Sequence, residues 1–463
     1  MEANSKNIEL IRGDYKKAVK KLSVPTMISL LVASLYNLTD SIWISALSAD
    51  ALAALGFILP FFYIVMGFGS GLAVGVNSAI SRQIGANDHK QASNTAIHGI
   101  LLAIVFSILI GVFSYYTIPI FLDIGLVGVE VGLSESLALE YGQILFAAII
   151  PFILCEVEVA ILRSEGDAKR GMYVMLATVI LNIILDPIMI FTLNMNIAGA
   201  ALATVISETI GCLILIYWIH YKKDTYLGIK RENFTFSFYH IKQILSIALP
   251  STFEDLITSI LNMAENIILL LSGGYLAVAA YSAVCRLTQL IIIPIKGLGV
   301  SMITLAGNMY GEKNYGKLKS TYFYTLKLSI IITTLLIVLS YVFAPQIGVL
   351  FASGDIKLSV EVSKALRLMI ITILSVCFGV ISCNFFQEIG KGTISLIITV
   401  IRSSILKVIF TIFLFYFIFN MGVNGVYFGV MMCGIISGTI AFSWALYYLR
   451  KLLKHDDDSS ISN

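Results

Sequence analysis

The sequence predicts an all-α integral membrane protein: 12 transmembrane helices in two six-helix, parallel-repeat lobes around a central cleft. Three observations carry this. Of 463 residues, 58% are apolar and 13% charged, against about 45–50% and 25% in soluble domains. Apolar windows of spanning length, roughly 20 residues, recur along the whole chain. The second half also repeats the punctuation of the first.

Windows bounded by Gly, Pro and charge place spans at 24–47, 52–81, 94–118, 141–162, 172–193 and 199–221, then 247–271, 276–306, 322–343, 365–388, 393–417 and 425–449. Around them lie an N-terminal segment (1–23), a linker (222–246) and a tail (450–463). With the N-terminus inside, the segments on that side hold 23 of the 31 Lys and Arg. The other side holds Lys357, Lys364 and Arg367 alone, and the remaining five fall within spans. Both termini are therefore expected in the cytoplasm, in a multi-pass protein of the cell membrane.

A shift of about 225 residues lays Pro25 on Pro250, Asn37 and Asp40 on Asn262 and Glu265, Gly85 on Gly311, Pro119 on Pro345, Gly166 on Gly390 and Gly199 on Gly425. An even number of spans per half makes the repeats parallel, related by an axis along the membrane normal. Two lobes of this kind fit alternating access, and a relic of duplication without rocking is the bland reading.

Several classes are excluded. The net charge of +3 gives a nucleic-acid partner no support. The six cysteines lie inside apolar runs without CxxC or paired His, so neither a disulfide framework nor a metal knuckle is expected. Residues 1–23 lack the short apolar core and cleavage site of a signal peptide. The string Gly67, Gly69, Gly71 and Gly75 reads as close helix packing, because no strand precedes it and no Lys follows as a phosphate loop requires. Gly390-Lys391-Gly392-Thr393 also lacks an ATP-site pattern. No nucleotide, cofactor or catalytic residue is expected.

An ionisable group in the bilayer costs at least about 2.5 kcal/mol, so each needs a partner, a wet cavity or a function. Asp40 lies about 10 Å below the outer end of span 1, and Asp186 equally deep in span 5. Asn182 shares the face of Asp186 by i, i+4 spacing, and Thr204 in span 6 lies about 8 Å deep. Pro187, the helix-kink residue, cannot donate to the carbonyl of Ile183, which leaves that oxygen free. Two carboxylates, an amide oxygen and a hydroxyl form a hard-oxygen set suited to Na+ or a shared proton. The bland reading is that Asp186 caps a kinked helix and Asp40 bonds across a helix interface.

The other charges are less decisive. Glu156 and Glu158 cannot share a helix face, and one is expected to pair with Arg163. Glu208 lines the first-lobe cavity or bonds between helices. Glu265, with Glu254 and Asp255, contacts cationic substrate or a second ion, or is neutralised by Arg286 and Lys296. Asn37, Glu208, Asn262 and Glu265 are the candidate substrate-cleft residues.

Several segments resemble the multidrug and toxic compound extrusion (MATE) transporters: Tyr36–Phe57 (YNLTDSIWISALSADALAALGF), Arg82–Ala92 (RQIGANDHKQA), Arg163–Lys169 (RSEGDAK), Leu181–Ile188 (LNIILDPI) and Gly199–Thr204 (GAALAT). The resemblance implies two lobes around a central cleft and export of organic cations or amphipathic compounds in exchange for H+ or Na+. In the archaeal and related bacterial branch it most resembles, coupling is assigned to positions that here read Asp40, Asn182, Asp186 and Thr204. Another branch uses acids in the second lobe, including the tenth span; residues 365–387 here hold no Asp or Glu. The expected partners are small substrates and the bilayer, for a monomeric transporter that is not an enzyme. The alternatives are a flippase of lipids or lipid-linked saccharides and, more remotely, a membrane-embedded enzyme.

Overall fold

The computed structural model describes residues 2–125, 133–222, 225–229, 234–352, 355–406, 409–410 and 423–461; side chains at 2–6, 124–125, 259–267, 270–273, 275, 403–405 and 455–461 are also outside the described residues. Among the described residues every regular element is a helix. The chain forms two compact units, Met1–Gly13 with Val24–Thr252 and Asp14–Ser23 with Phe253–Asn463. The described residues of the expected linker belong to the first.

The first unit takes in α1 (Glu2–Arg12), most of α2 (Tyr15–Ser45), α3 (Ala49–Gly85), α4 (His89–Gly125), α5 (Leu133–Ala147), α6 (Ile149–Ser164), α7 (Ala168–Pro187) and α8 (Asn196–Ile216). A π-helical turn follows α7 at Ile188–Thr192 and another follows α8 at Tyr217–Tyr221. The start of α9 (Phe238–Gly311) also lies in this unit. The rest of α9 and α10 (Tyr315–Val342), α11 (Ala344–Ala352), α12 (Ile356–Met369), α13 (Thr372–Glu388), α14 (Gly392–Val400) and α15 (Val423–Ile461) lie in the second.

Among the described residues, eight single helices have spanning length and hydropathy, and the bent pairs α5–α6 and α12–α13 bring the number to ten. The two other expected spans are 247–271, within the first arm of α9, and 393–417, part of which is outside the described residues. Gly274 divides α9: its φ of 65° and ψ of −163° fall in a region essentially confined to glycine. The protein is thus an all-α membrane protein of two six-span repeats.

Spans 4 and 10 begin earlier than hydropathy alone places them. Charged residues such as Glu135, and Lys364 with Arg367, lower the hydropathy of their first arms, α5 and α12. The arms meet their partners at bends of 52° and 49°. In the first case Pro151 cannot donate to the carbonyl of Ala147 and crowds it, so α5 ends there and α6 begins anew.

The duplication is also visible in the turns. Asn87 and Lys313 both take left-handed φ values, 58° and 57°. Each next residue then caps the following helix: Asp88 Oδ1 accepts from the amide of Gln91 at 3.0 Å, and Asn314 Oδ1 from that of Lys317 at 3.0 Å. Gly166 and Gly390 form a second matched pair, at φ 83° and 79°. The glycine string of α3 packs tightly, as its spacing predicts. A Cβ on Gly75 would stand 2.6 Å from the carbonyl oxygen of Ile244 at the start of α9.

Candidate functional site

Four helices of the first unit converge on one polar pocket. α2 supplies Tyr36 and Asp40 one turn apart, α5 supplies Tyr141, α7 supplies Asn182 and Asp186, and α8 supplies Thr204. Asn182 and Asp186 are completely buried, and Asp40 and Thr204 are only 5% and 4% exposed. The structure therefore brings together all four residues of the predicted hard-oxygen set.

Hydrogen bonds join them in two groups. Asn182 Nδ2 donates to Asp186 Oδ1 at 3.1 Å and to Thr204 Oγ1 at 3.4 Å. Thr204 Oγ1 also shares a hydrogen bond of 2.9 Å with the Tyr36 hydroxyl. The Tyr141 hydroxyl donates to Asp40 Oδ2 at 3.3 Å. Each of three side chains keeps one buried oxygen without a hydrogen-bond partner among the described residues: Asp40 Oδ1, Asn182 Oδ1 and Asp186 Oδ2. Buried polar atoms in native proteins are nearly always satisfied, so three such oxygens in one cluster of side chains form a site with strong acceptor character. The two carboxylates also repel one another electrostatically.

Local backbone chemistry positions these groups. Pro187 ends α7, and the π turn beyond it closes with the amide of Leu193 on the carbonyl of Ile188 at 2.9 Å. α8 starts hard against that turn. A Cβ on Gly199 would lie 2.8 Å from the carbonyl carbon and oxygen of Met189, so glycine permits the approach that seats Thr204 beside Asn182. Trp43 of α2 meets Phe191 of the π turn edge-on at 6.3 Å.

Below the pocket, Glu208 follows Thr204 by one helical turn. It lines a small cavity of about 60 Å³ with Glu156, Arg163 and Met175. Glu158, on another face, lies 3.9 Å from His220. Asn37 is exposed, and its Nδ2 donates to the carbonyl of Ala33 on its own helix at 3.0 Å. The side chains of Asn262 and Glu265 are outside the described residues. In the second unit, Glu254 accepts from Thr399 at 3.2 Å and interacts with Arg402.

Sequence reasoning missed Tyr36 and Tyr141 as pocket members. Tyr36 carried a signal in its i, i−4 relation to Asp40, while no spacing in span 4 marked Tyr141. It also missed Glu165 at the turn between α6 and α7, whose carboxylate accepts from the backbone amides of Tyr226 at 3.0 Å and Leu227 at 2.9 Å. Burial pushes this carboxyl up to about 7 despite those two bonds. Among the described residues, no three His, Cys, Asp or Glu side chains converge as in a transition-metal site.

Comparison with known proteins agrees with the duplication. The sequence profile of the MatE family matches twice, over residues 25–188 and 250–413. The multidrug export protein MepA of Staphylococcus haemolyticus is 27% identical over 463 residues, with 96% of each chain covered. MepA of Staphylococcus aureus strain MSSA476 is 26% identical over 454 residues, again covering 96% of each. A MOP superfamily transporter from Pyrococcus furiosus superposes with a TM-score of 0.92 at 35% identity, covering 96% of this chain and 98% of that one. Crystal structures of a MATE in the straight and bent conformations give TM-scores of 0.92 at 36% and 35% identity, each covering 97% of this chain and 99% of the other. With both halves matched by the profile, the chain belongs to the MatE family, the multidrug and toxic compound extrusion transporters, and is a membrane transporter rather than an enzyme.

Proposed function

We propose that this protein is a secondary active multidrug efflux antiporter, exporting organic cations and amphipathic compounds in exchange for H+ or Na+ by alternating access. The observation that supports it is the trio of buried, unpartnered oxygens on Asp40, Asn182 and Asp186. A proton or a small hard cation satisfies such oxygens and relieves the repulsion between the carboxylates. Thr204 adds a fourth oxygen, and Tyr36 and Tyr141 hold the set in place through their hydroxyls.

In this reading the outward-open state takes up the ion, the neutralised pocket lets the first unit's helices bend, and the cargo is released outward. The inward-open state loads the next cargo. Ion and cargo must each bind the two states unequally, because a ligand that binds both alike shifts no equilibrium. The π turn after Pro187 supports a bending role, since such irregular turns mark points where a helix can adjust. Asn37, Glu208, Asn262 and Glu265 are the proposed substrate-contacting residues. The protein is proposed to act as a monomer in the cell membrane with both termini in the cytoplasm.

The test is efflux of a cationic dye from proteoliposomes with a proton gradient and a sodium gradient imposed separately. At least one gradient should drive efflux, and Asp40→Asn should abolish that drive while the protein remains folded. Efflux indifferent to both gradients, or wild-type drive in the variant, would refute the proposal.

A further inference from the structure

In a protein whose basic residues collect on one side, Lys357, Lys364 and Arg367 stand apart on α12, at the end of the second unit that the charge count places outside. Beside this helix the second unit contains a recess of about 630 Å³. Its lining combines Lys364 and Arg367 with apolar Val349, Val360 and Phe428 and with Asn424. Val360, Lys364 and Arg367 follow i, i+4, i+7 spacing and share a stripe of α12. The opposite stripe, Val362, Ala365, Leu366 and Met369, is buried in the unit.

Both cations are available. Lys364 Nζ lies 4.0 Å from a Glu361 oxygen and its side chain is 47% exposed, a pairing of little strength. The Arg367 guanidinium sits over the Tyr341 ring at 5.5 Å, a contact with the ring face that leaves the in-plane N–H donors open. Glu361 is further engaged by the Tyr427 hydroxyl, which donates to it at 3.5 Å. Asn424 Oδ1 is buried and has no hydrogen-bond partner among the described residues. The mouth is apolar, with Val349 65% and Val360 62% exposed.

We propose that this recess binds a phospholipid whose headgroup carries a phosphate and a free hydroxyl, as phosphatidylglycerol does. Lys364 and Arg367 hold the phosphate, with the guanidinium fork matched to its oxygens. Asn424 takes the headgroup hydroxyl, and the valines and Phe428 line the path of an acyl chain. The apolar mouth favours a lipid over a free anion, which has no use for it. Basic pockets between spanning helices are headgroup sites on the cytoplasmic or matrix side, and the same pairing of phosphate with Lys and Arg is available at the other end. This inference is independent of the proposed coupling pocket, which lies in the other unit.

The experiment uses the full-length protein in phosphatidylcholine vesicles containing a trace of diazirine-bearing phosphatidylglycerol, with labelled peptides identified by mass spectrometry. Label is expected in the peptides covering α12 and the start of α15. Unlabelled phosphatidylglycerol should displace it and inorganic phosphate should not. Lys364→Gln with Arg367→Gln should weaken this labelling roughly 30-fold, the effect of two basic side chains near a headgroup. Lys357→Gln, on the same helix but outside the recess, should leave it unchanged. Unchanged labelling in the double variant, equal labelling by diazirine-bearing phosphatidylcholine, or displacement by inorganic phosphate would overturn the proposal. The last result would instead identify a site for free anions.

Discussion

Replacing Asp186 with asparagine removes one negative charge from the pocket while nearly conserving its shape. The amide keeps an acceptor oxygen for the Asn182 Nδ2 contact of 3.1 Å, so the fold should lose no more than about 1 kcal/mol. The partnerless oxygen, Oδ2, is replaced by an amide donor pointing where a cation or proton would bind. A hydrogen bond or contact to a charged group is worth about 1.5–3 kcal/mol, so loading of the coupling ion should weaken by about 10–150-fold. Dye efflux from proteoliposomes, measured as a function of proton or sodium concentration, reports this directly. The half-maximal concentration should move by that factor while thermal unfolding of the purified variant stays near wild type. An unchanged half-maximal concentration would show that the Asp186 carboxylate has no part in ion loading.

Further outcomes follow from the geometry. Tyr36→Phe and Thr204→Val, alone and together, should show a coupling of about 1 kcal/mol in thermal unfolding, the value of their shared 2.9 Å hydrogen bond; strictly additive effects would contradict it. Gly199→Val should destabilise by about 1–3 kcal/mol, because the backbone of Met189 stands 2.8 Å from the new Cβ. Gly56→Ala, inside α3 with no atom within 4 Å, should be neutral or stabilise by about 0.5–1 kcal/mol. Glu165 gives a pH signature. Its folded-state value of about 7 lies above its ordinary value of 4.5, so its contribution to stability is complete below about pH 4.5 and is lost as pH rises through about 7. Melting temperatures recorded across that window should fall less with rising pH in Glu165→Gln than in wild type.

The spans were legible in the sequence because burial in lipid demands long apolar runs, and the pocket because charge in such runs is costly enough to be conspicuous. Asp40 and Asp186 stood out on those grounds, Asn182 by its i, i+4 relation to Asp186 and Thr204 by its depth, and these depths along the helices brought them to one level. Tyr141 did not, since an aromatic residue in a membrane helix is ordinary and its hydroxyl gains meaning only from the partner it meets. The early starts of spans 4 and 10 were hidden for the converse reason: α5 and α12 carry enough charge to depress local hydropathy, though helix geometry continues through them. The hold of Glu165 on the backbone of Tyr226 and Leu227 spans about sixty residues, a separation over which periodicity carries no information.

The six residues of the polar pocket all precede residue 205, so a single copy of the duplicated half contains the whole set. A shift of 225 residues carries Asp186 to Thr411 and Thr204 to Gly429; of the pocket's two carboxylates only Asp40 has an acidic counterpart in the sister copy, Glu265. Twin ancestry has therefore ended in specialisation. In the proposed reading one half carries the ion pocket, and the other was left at liberty to acquire different chemistry, such as the cations of α12.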